Sequence, residues 1–359
     1  MDPVAFSVEH KHEQVVSYFD EETGLRAFIA VHNTRRGPAV GGARLWHYET
    51  AQDALLDVLR LSEGMTYKAA LADLPLGGGK TVILADGNEQ DAATRAARFE
   101  VLGHYIDELG GRYITAEDVG TTTADMVKVR QATRYVLGMP VEAGGGGDPS
   151  PMTAFGVLCG MRALAEDVLE RASLAGVRVA IQGLGKVGMS LADQLVEQGA
   201  VVIGSDVRPQ VAEDASNRLK IEVAAPDAIY DVPCDIFAPC AMGAVINDRT
   251  IPHLACRIVA GSANNQLAEE RHAEALHARR IVYAVDYVIN SGGLINVASE
   301  LDGYDKGRAR AKTAQIYQTI KRLLEVARTE GISMQRAAQH VALETLASAR
   351  PGVEVQSIS

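Results

Sequence analysis

Residues 177–206 read VRVAIQGLGKVGMSLADQLVEQGAVVIGSD, and this stretch decides the fold. A short apolar run leads into a glycine turn, a helix-period segment follows, and a second apolar run ends at Asp206. Strand, turn, helix and strand in that order make a βαβ unit with parallel strands. In this frame Gly183 permits the tight turn, Gly185 lets a pyrophosphate approach the backbone, and Gly188 lets helix and strand pack. The whole turn, Gly183, Leu184, Gly185, Lys186, Val187 and Gly188, is therefore expected to bind a dinucleotide. Asp206 stands 18 residues beyond Gly188. A carboxylate there accepts hydrogen bonds from the adenosine ribose and repels a 2′-phosphate, which favours NAD over NADP. Arg208, two residues on, could temper that preference.

Outward from this unit the alternation continues. CDIFAPC, RIVAGS and IVYAV are further short apolar runs separated by helical segments, the pattern of a parallel sheet covered on both faces. Upstream lies VEAGGGGDPSPM, residues 141–152, whose four consecutive glycines suit neither helix nor strand and suggest a mobile hinge. Ser150 and Pro151 then offer an N-cap and a first-turn proline. The expected fold is α/β with two domains: a mixed-sheet catalytic domain over residues 1–145 and a Rossmann-type domain over 146–330, with the substrate cleft between them. Residues 331–359 are expected to form a C-terminal helix, stopping before Pro351, and a tail, packing back towards the first domain.

At 359 residues the chain has room for two cores. Acidic residues outnumber basic ones 46 to 35, a formal net charge of -11 that argues against nucleic acid or an anionic membrane as partner. MDPVAFSVEHKHE lacks the features of a signal peptide, and no apolar run spans a membrane, so a cytoplasmic location is expected. Cys159, Cys234, Cys240 and Cys256 lack metal-finger spacing and read as buried thiols, while His10 and His12 read as solvated; no metal site is expected.

The first half carries PLGGGKTV, residues 75–82. A phosphate-binding loop of the G-x-x-x-x-G-K-[ST] kind would need glycine where Leu74 stands, and a helix after the loop. Here the helix-period segment 51–73 comes before, capped by Thr50 with Asp53, and a β-branched run follows. Lys68 ends that helix and Lys80 follows the glycines, read as a loop that suits close approach to a ligand. If the two ammonium groups face one cleft, one keeps its charge to hold a carboxylate. The other, repelled and partly desolvated, serves as a general base. Met65 shares the face of Lys68 and suggests an aliphatic substrate. Asp118, after a short β-type stretch, reads as a turn residue or, beside a neutral lysine, as a proton shuttle.

GPAVGGARLW, MTYKAALADLPLGGGK, TAEDVGTTTADM, GDPSPMTAFGV, APCAMGAVIN, AGSANNQL and DYVINSGGLINVASEL together resemble the glutamate/leucine/phenylalanine/valine dehydrogenase superfamily, most closely its leucine dehydrogenase branch. The resemblance implies reversible oxidative deamination of an L-amino acid to a 2-oxo acid, ammonium and NADH. It implies that Lys68 binds the substrate carboxylate, that Lys80 activates water, and that Asp118 relays protons to the amino nitrogen. It also places Gly41 and Gly42 against the substrate, Thr153 near the nicotinamide carboxamide, and Asn265 on cofactor and substrate.

By the same resemblance the side-chain pocket is Val40, Met65, Ala116, Leu294 and Val297, wholly apolar. Glutamate-using relatives place lysine and serine at the positions of Val40 and Val297, which disfavours glutamate. Ala116 resembles the leucine branch and Leu294 the phenylalanine branch, so leucine, valine and isoleucine are expected substrates with phenylalanine as the alternative. The linker, richer in glycine than the family pattern, implies a looser hinge. The family's habit implies a homo-oligomer. A 2-hydroxy-acid dehydrogenase would need a catalytic histidine and leaves the lysine pair unexplained. A non-catalytic NAD-binding protein would have dispensed with Lys68, Lys80 or Asp118.

Overall fold

The computed structural model describes residues 2–348 apart from Met242, which belongs to the APCAMGAVIN motif. The tail, with the stop expected before Pro351, lies outside the described residues. Among those described the chain divides into two compact units. One holds residues up to Asp148, together with Val297–Lys306 and the chain from Ala342; the other holds Pro149–Asn296 and Gly307–Val341.

The first unit contains strands β1 (Gln14–Phe19), β2 (Arg26–Asn33), β3 (Ala39–Trp46), β4 (Gly77–Leu84) and β5 (Tyr113–Glu117). Its helices are α1 (Pro3–Glu9), α2 (Ala51–Leu71), α3 (Ala92–Glu108) and α4 (Thr123–Ala132). The strands form a mixed five-stranded sheet in the order β1-β2-β4-β3-β5, with β1, β2 and β4 antiparallel and β4, β3 and β5 parallel. Alternation along a strand sends successive side chains to opposite faces. Ile29 accordingly joins a core with Phe99, Leu102 and Met126, and Ala30 joins another with Phe6, Val58 and Leu59.

The glycines of PLGGGKTV are not a loop. They open β4, paired on both sides, because each faces a neighbour that leaves no room for a side chain. A Cβ on Gly77 would lie 1.8 Å from the Asn33 carbonyl oxygen, on Gly78 2.1 Å from the Thr66 nitrogen, and on Gly79 2.7 Å from the Tyr113 ring. Three bare residues let α2 and Tyr113 close directly onto the sheet. Thr50 caps α2 as its sequence suggests, accepting from the Asp53 N–H.

His10 and His12 do not face solvent alone. His10 Nδ1 lies 2.9 Å from Glu63 Oε2, and His12 Nε2 lies 3.0 Å from the Leu59 carbonyl, so both tie the amino-terminal segment to α2. Beside them His32 is buried, with Nε2 3.0 Å from the His10 carbonyl and Nδ1 2.7 Å from the Thr66 hydroxyl. A carbonyl only accepts, so Nε2 carries the proton and Nδ1 accepts from Thr66. Burial, helped by His12, lowers the His32 imidazole to about 4. The unfolded chain takes up this proton from near pH 6.5 downward and the folded chain does not, so stability is present above pH 6.5 and declines toward pH 4. The expected loss is on the order of 3 kcal/mol. Melting temperatures measured across that window should fall steeply, and less so in His32→Asn; equal slopes would place the acid lability elsewhere.

The linker is also ordered by specific bonds. A 3₁₀ turn at Val141–Ala143 is followed by Gly145, whose N–H donates to the Pro140 carbonyl at 3.0 Å and whose missing Cβ would sit 1.9 Å from the Met139 oxygen. The Glu300 carboxylate accepts from the backbone N–H groups of Gly138 (2.9 Å), Met139 (3.4 Å) and Gly146 (2.8 Å). Burial raises the Glu300 carboxyl above its ordinary range against the pull of these donors. Specific bonds thus hold residues 138–146 within this unit, and the boundary between the two units falls just beyond them, at Asp148 and Pro149.

The chain continues through α5 (Ser150–Val168), β6 (Arg178–Gln182), α6 (Lys186–Glu197), β7 (Val201–Ser205), α7 (Pro209–Leu219), β8 (Glu222–Val223), β9 (Ile236–Pro239) and β10 (Ile258–Val259). There follow α8 (Arg271–Ala278), β11 (Val282–Tyr283), α9 (Asp286–Ile289), α10 (Gly292–Ala298), α11 (Lys306–Ala314), α12 (Ile316–Glu330) and α13 (Met334–Ser348). Pro149 rather than Ser150 takes the N-cap position of α5, without a side-chain bond. The second sheet is parallel throughout, in the order β11-β10-β9-β6-β7-β8. Strand order reverses at β6, the place where doubly wound sheets open a crevice at their carboxyl ends.

Candidate functional site

Lys80 projects from the middle of β4 and is 5 % exposed. Its Nζ lies 2.7 Å from Oδ2 of Asp118, the residue that follows β5. The charge nearest Lys80 is therefore opposite in sign, not the like charge of Lys68 that its sequence position suggested. Burial pushes the Asp118 carboxyl upward, but Lys80 and then Arg44 outweigh it and hold the group at about 2. The pair is thus an ammonium facing a carboxylate, joined by a charge-assisted hydrogen bond.

Glycines shape the floor of this pair. A Cβ on Gly42 would approach the Asp118 Cβ to 2.7 Å, and one on Gly41 would overlap the Gly79 carbonyl oxygen at 1.7 Å. The Gly41 carbonyl accepts from the buried Tyr113 hydroxyl at 2.5 Å, which in turn accepts from Thr81 at 3.0 Å. Val40 on β3 and Ala116 on β5 are both buried. Met65 and Lys68 lie half-buried on α2, three residues apart. Lys80, Asp118, Gly41 and Gly42 thus meet in one place in the first unit, with Val40 and Ala116 on the adjoining strands.

The sequence reading overlooked a second layer. Arg44 Nε donates to Asp118 Oδ2 at 3.2 Å, and its Nη1 donates to Asp57 Oδ2 on α2 at 3.1 Å. Tyr48 donates its hydroxyl to the same Asp57 oxygen at 2.5 Å. Arg44 sits within GPAVGGARLW, two residues from Gly42 and so on the same face of β3, which was the one available signal.

In the second unit GLGKVG follows β6. Gly183 has φ +97° and its Cβ would meet Ala241 at 2.5 Å, while a Cβ on Gly188 would strike the Gly183 carbonyl at 2.0 Å. Around Gly185, the residue before α6, a Cβ would meet nothing within 4 Å, and α6 has no side-chain cap. Asp206 Oδ2 accepts from the Leu184 N–H at 2.9 Å. Its Oδ1 accepts from the Arg208 N–H and Nε at 2.9 and 3.0 Å. These bonds, the Arg208 side chain foremost, hold the Asp206 carboxyl at about 2. An open backbone approach with uncapped helix N–H groups, and an ionised carboxylate at the end of the next strand, fit a pyrophosphate and a ribose diol.

Thr153 lies in the first turn of α5 and donates to the Pro149 carbonyl at 3.1 Å. Gly293 must be bare beside it, since a Cβ there would come within 2.7 Å of the hydroxyl. Asn265 is exposed in a left-handed conformation, φ +52°. Leu294, buried, and Val297, half-buried, are three residues apart on α10 and share a face. Elsewhere Asp248, Glu269 and His272 cluster, yet Arg271 already pairs both carboxylates and His272 Nδ1 accepts the Glu269 N–H. No helix of the described residues is long and apolar enough to cross a membrane.

Comparison with known proteins bears on both units. A family model described as Glu/Leu/Phe/Val dehydrogenase, dimerisation domain, matches residues 12–135. A second, described as Glutamate/Leucine/Phenylalanine/Valine dehydrogenase, matches residues 144–216 and 205–351. The leucine dehydrogenase of Thermoactinomyces intermedius is 49 % identical over 94 % of this chain and 92 % of its own length. The phenylalanine dehydrogenase of Bacillus thermotolerans is 45 % identical over 94 % and 88 %. The crystal structure of an L-tryptophan dehydrogenase from Nostoc punctiforme superposes with a TM-score of 0.85 at 39 % identity, covering 96 % of this chain and 99 % of that one.

Proposed function

Because the chain belongs to the Glu/Leu/Phe/Val dehydrogenase family, we propose that it catalyses the reversible, NAD-dependent oxidative deamination of an aliphatic L-amino acid. Leucine is the foremost substrate, with valine and isoleucine beside it, and the products are the 2-oxo acid, ammonium and NADH. The observation that carries this reading is the buried Lys80–Asp118 pair at 2.7 Å, a donor and an acceptor locked together at the base of glycine-walled strands.

In the proposed mechanism Lys68 holds the substrate carboxylate, and Gly41 and Gly42 let the substrate lie close to β3. Val40, Met65, Ala116, Leu294 and Val297 surround the aliphatic side chain. Thr153 and Asn265, with Gly183, Leu184, Gly185, Lys186, Val187, Gly188 and Asp206, hold the dinucleotide. When bound, its nicotinamide ring supplies the acceptor for the hydride on the substrate α-carbon. Asp118, ionised, first takes a proton from the substrate ammonium. Lys80, once its own proton has passed to solvent, takes a proton from water as the oxygen adds to the resulting imine, and the proton held by Asp118 returns to the departing amine. A proton crosses between the two residues without either side chain travelling, which lets one pair act first as base and then as acid.

Residues 1–145 are assigned to substrate and subunit contacts, and residues 146–330 to NAD. The match at residues 12–135, described as a dimerisation domain, supports a homo-oligomer; a cytoplasmic location is proposed separately. The test is NADH formation from L-leucine, isoleucine, valine, methionine, phenylalanine and glutamate at alkaline pH. Fastest turnover with branched aliphatics supports the reading; fastest turnover with phenylalanine moves the chain to that branch, and silence on all six removes the activity. For the cofactor, Asp206→Ser should lower the NAD-to-NADP ratio of kcat/KM by about tenfold or more, the worth of a hydrogen bond to a charged group. An unchanged ratio would remove Asp206 from the ribose site.

A further inference from the structure

We propose that Arg44 is a positioning residue for the reaction: anchored by Asp57, it fixes the Asp118 carboxylate within reach of Lys80 and supplies the positive charge that remains there when Lys80 gives up its proton. This rests on the deamination reading and extends it to a residue to which that reading gives no substrate contact. The geometry is a chain of short contacts across three elements. Tyr48 donates to Asp57 on α2, Asp57 accepts from Arg44 on β3, and Arg44 donates to the very oxygen of Asp118 that Lys80 on β4 also contacts.

Charge counting shows why the arrangement matters. With Lys80 protonated, two cations, Lys80 and Arg44, balance two carboxylates, Asp57 and Asp118. When Lys80 is neutral, Asp118 keeps only one cation against the cost of burial. Burial alone drives a carboxylate to bind a proton and so to leave the reaction as a base. A guanidinium stays charged at every working pH and holds its two carboxylates in a rigid planar fork, whereas an ammonium can lose its proton and is a rotatable point charge. The other groups facing this oxygen pair are consistent with that task. Tyr113, on β5, feels the Asp118 charge and has its hydroxyl raised, burial being the larger cause. Tyr48 is likewise raised by burial and by Asp57, so it stays a neutral donor. Arg44 is then the sole permanent cation in contact with Asp118 among the described residues.

The experiment compares the intact enzyme with Arg44→Gln, Arg44→Lys and Asp57→Asn, following kcat and KM for L-leucine from mildly acid to alkaline pH. NADH fluorescence and melting curves report folding and cofactor binding. Arg44→Gln is expected to lower kcat about 10²-fold while KM for leucine changes by no more than about threefold, the low end of what a proton-transfer group contributes. Its acid limb should move up by about one pH unit, because without the neighbouring guanidinium Lys80 holds its proton beside Asp118 more tightly. Arg44→Lys should restore the position of the limb and part of the rate, since charge returns without the fork. Asp57→Asn, which leaves Arg44 charged but unanchored, should lower kcat with a smaller displacement. Folded, NADH-binding variants whose acid limb coincides with that of the intact enzyme would overturn the proposal, whatever their rates. An intact enzyme inactive on every amino acid would instead remove the deamination reading, and this inference with it.

Discussion

Replacing Lys80 with alanine is expected to lower kcat for L-leucine about 10³-fold, within the range that one positioned acid–base group contributes. The side chain is 5 % exposed and meets Asp118 at 2.7 Å, and alanine leaves no amine in its place. Removing the ammonium also leaves Asp118 leaning on Arg44 alone. Lys68, on α2, is untouched, so KM for leucine should move little. The residues proposed to hold the dinucleotide belong to the other unit, and NADH affinity by fluorescence titration should be that of the unaltered protein. Steady-state NADH formation decides the matter: a variant retaining more than a tenth of the rate would take the role of base from Lys80.

Gly78→Ala is expected to produce the largest loss of stability. The added methyl would stand 2.1 Å from the Thr66 nitrogen, 2.3 Å from its hydroxyl and 2.6 Å from the Ser62 carbonyl, and backbone cannot swing aside as a long side chain can. Either α2 lifts off β4 or β4 shifts between β2 and β3. The cost is about 3 kcal/mol or more, at or above the upper end of ordinary overpacking. Because Met65 and Lys68 ride on the same helix, the folded fraction should also lose leucine affinity. Gly185→Ala is the contrast, since its methyl enters open space and should spare stability while weakening NADH binding. Urea unfolding and NADH titration of both variants separate the cases; an unaffected Gly78→Ala would mean that helix and strand are not in the contact described.

The same glycines mark where local sequence reasoning succeeds and where it stops. GLGKVG was readable because its spacing, the strand before it and the helix after it are all local, and the positive φ of Gly183 is set within the turn itself. Gly77, Gly78 and Gly79 looked like a loop because glycine runs ordinarily buy flexibility, and nothing nearby in the chain announces that Asn33, Thr66 and Tyr113 crowd them. The helical segment before them and Lys80 after them were both recognised, yet the partner that matters to Lys80 is 38 residues away at Asp118. Arg44 and Asp57 escaped notice for the same reason, since a strand and a helix have to pack before the two can meet. His10 and His12 likewise look solvent-bound in a polar amino-terminal stretch until α2 is laid beside them.

Glu300 has a consequence for how the chain is made. Its carboxylate closes a turn whose three N–H donors lie at Gly138, Met139 and Gly146, more than 150 residues earlier. A growing polypeptide emerges from its amino end, so those donors are synthesised well before their acceptor exists. The first unit therefore cannot be finished when its five strands have left the ribosome. It waits for the whole Rossmann sheet to be translated, and the nascent first half stays incomplete until residue 300 arrives.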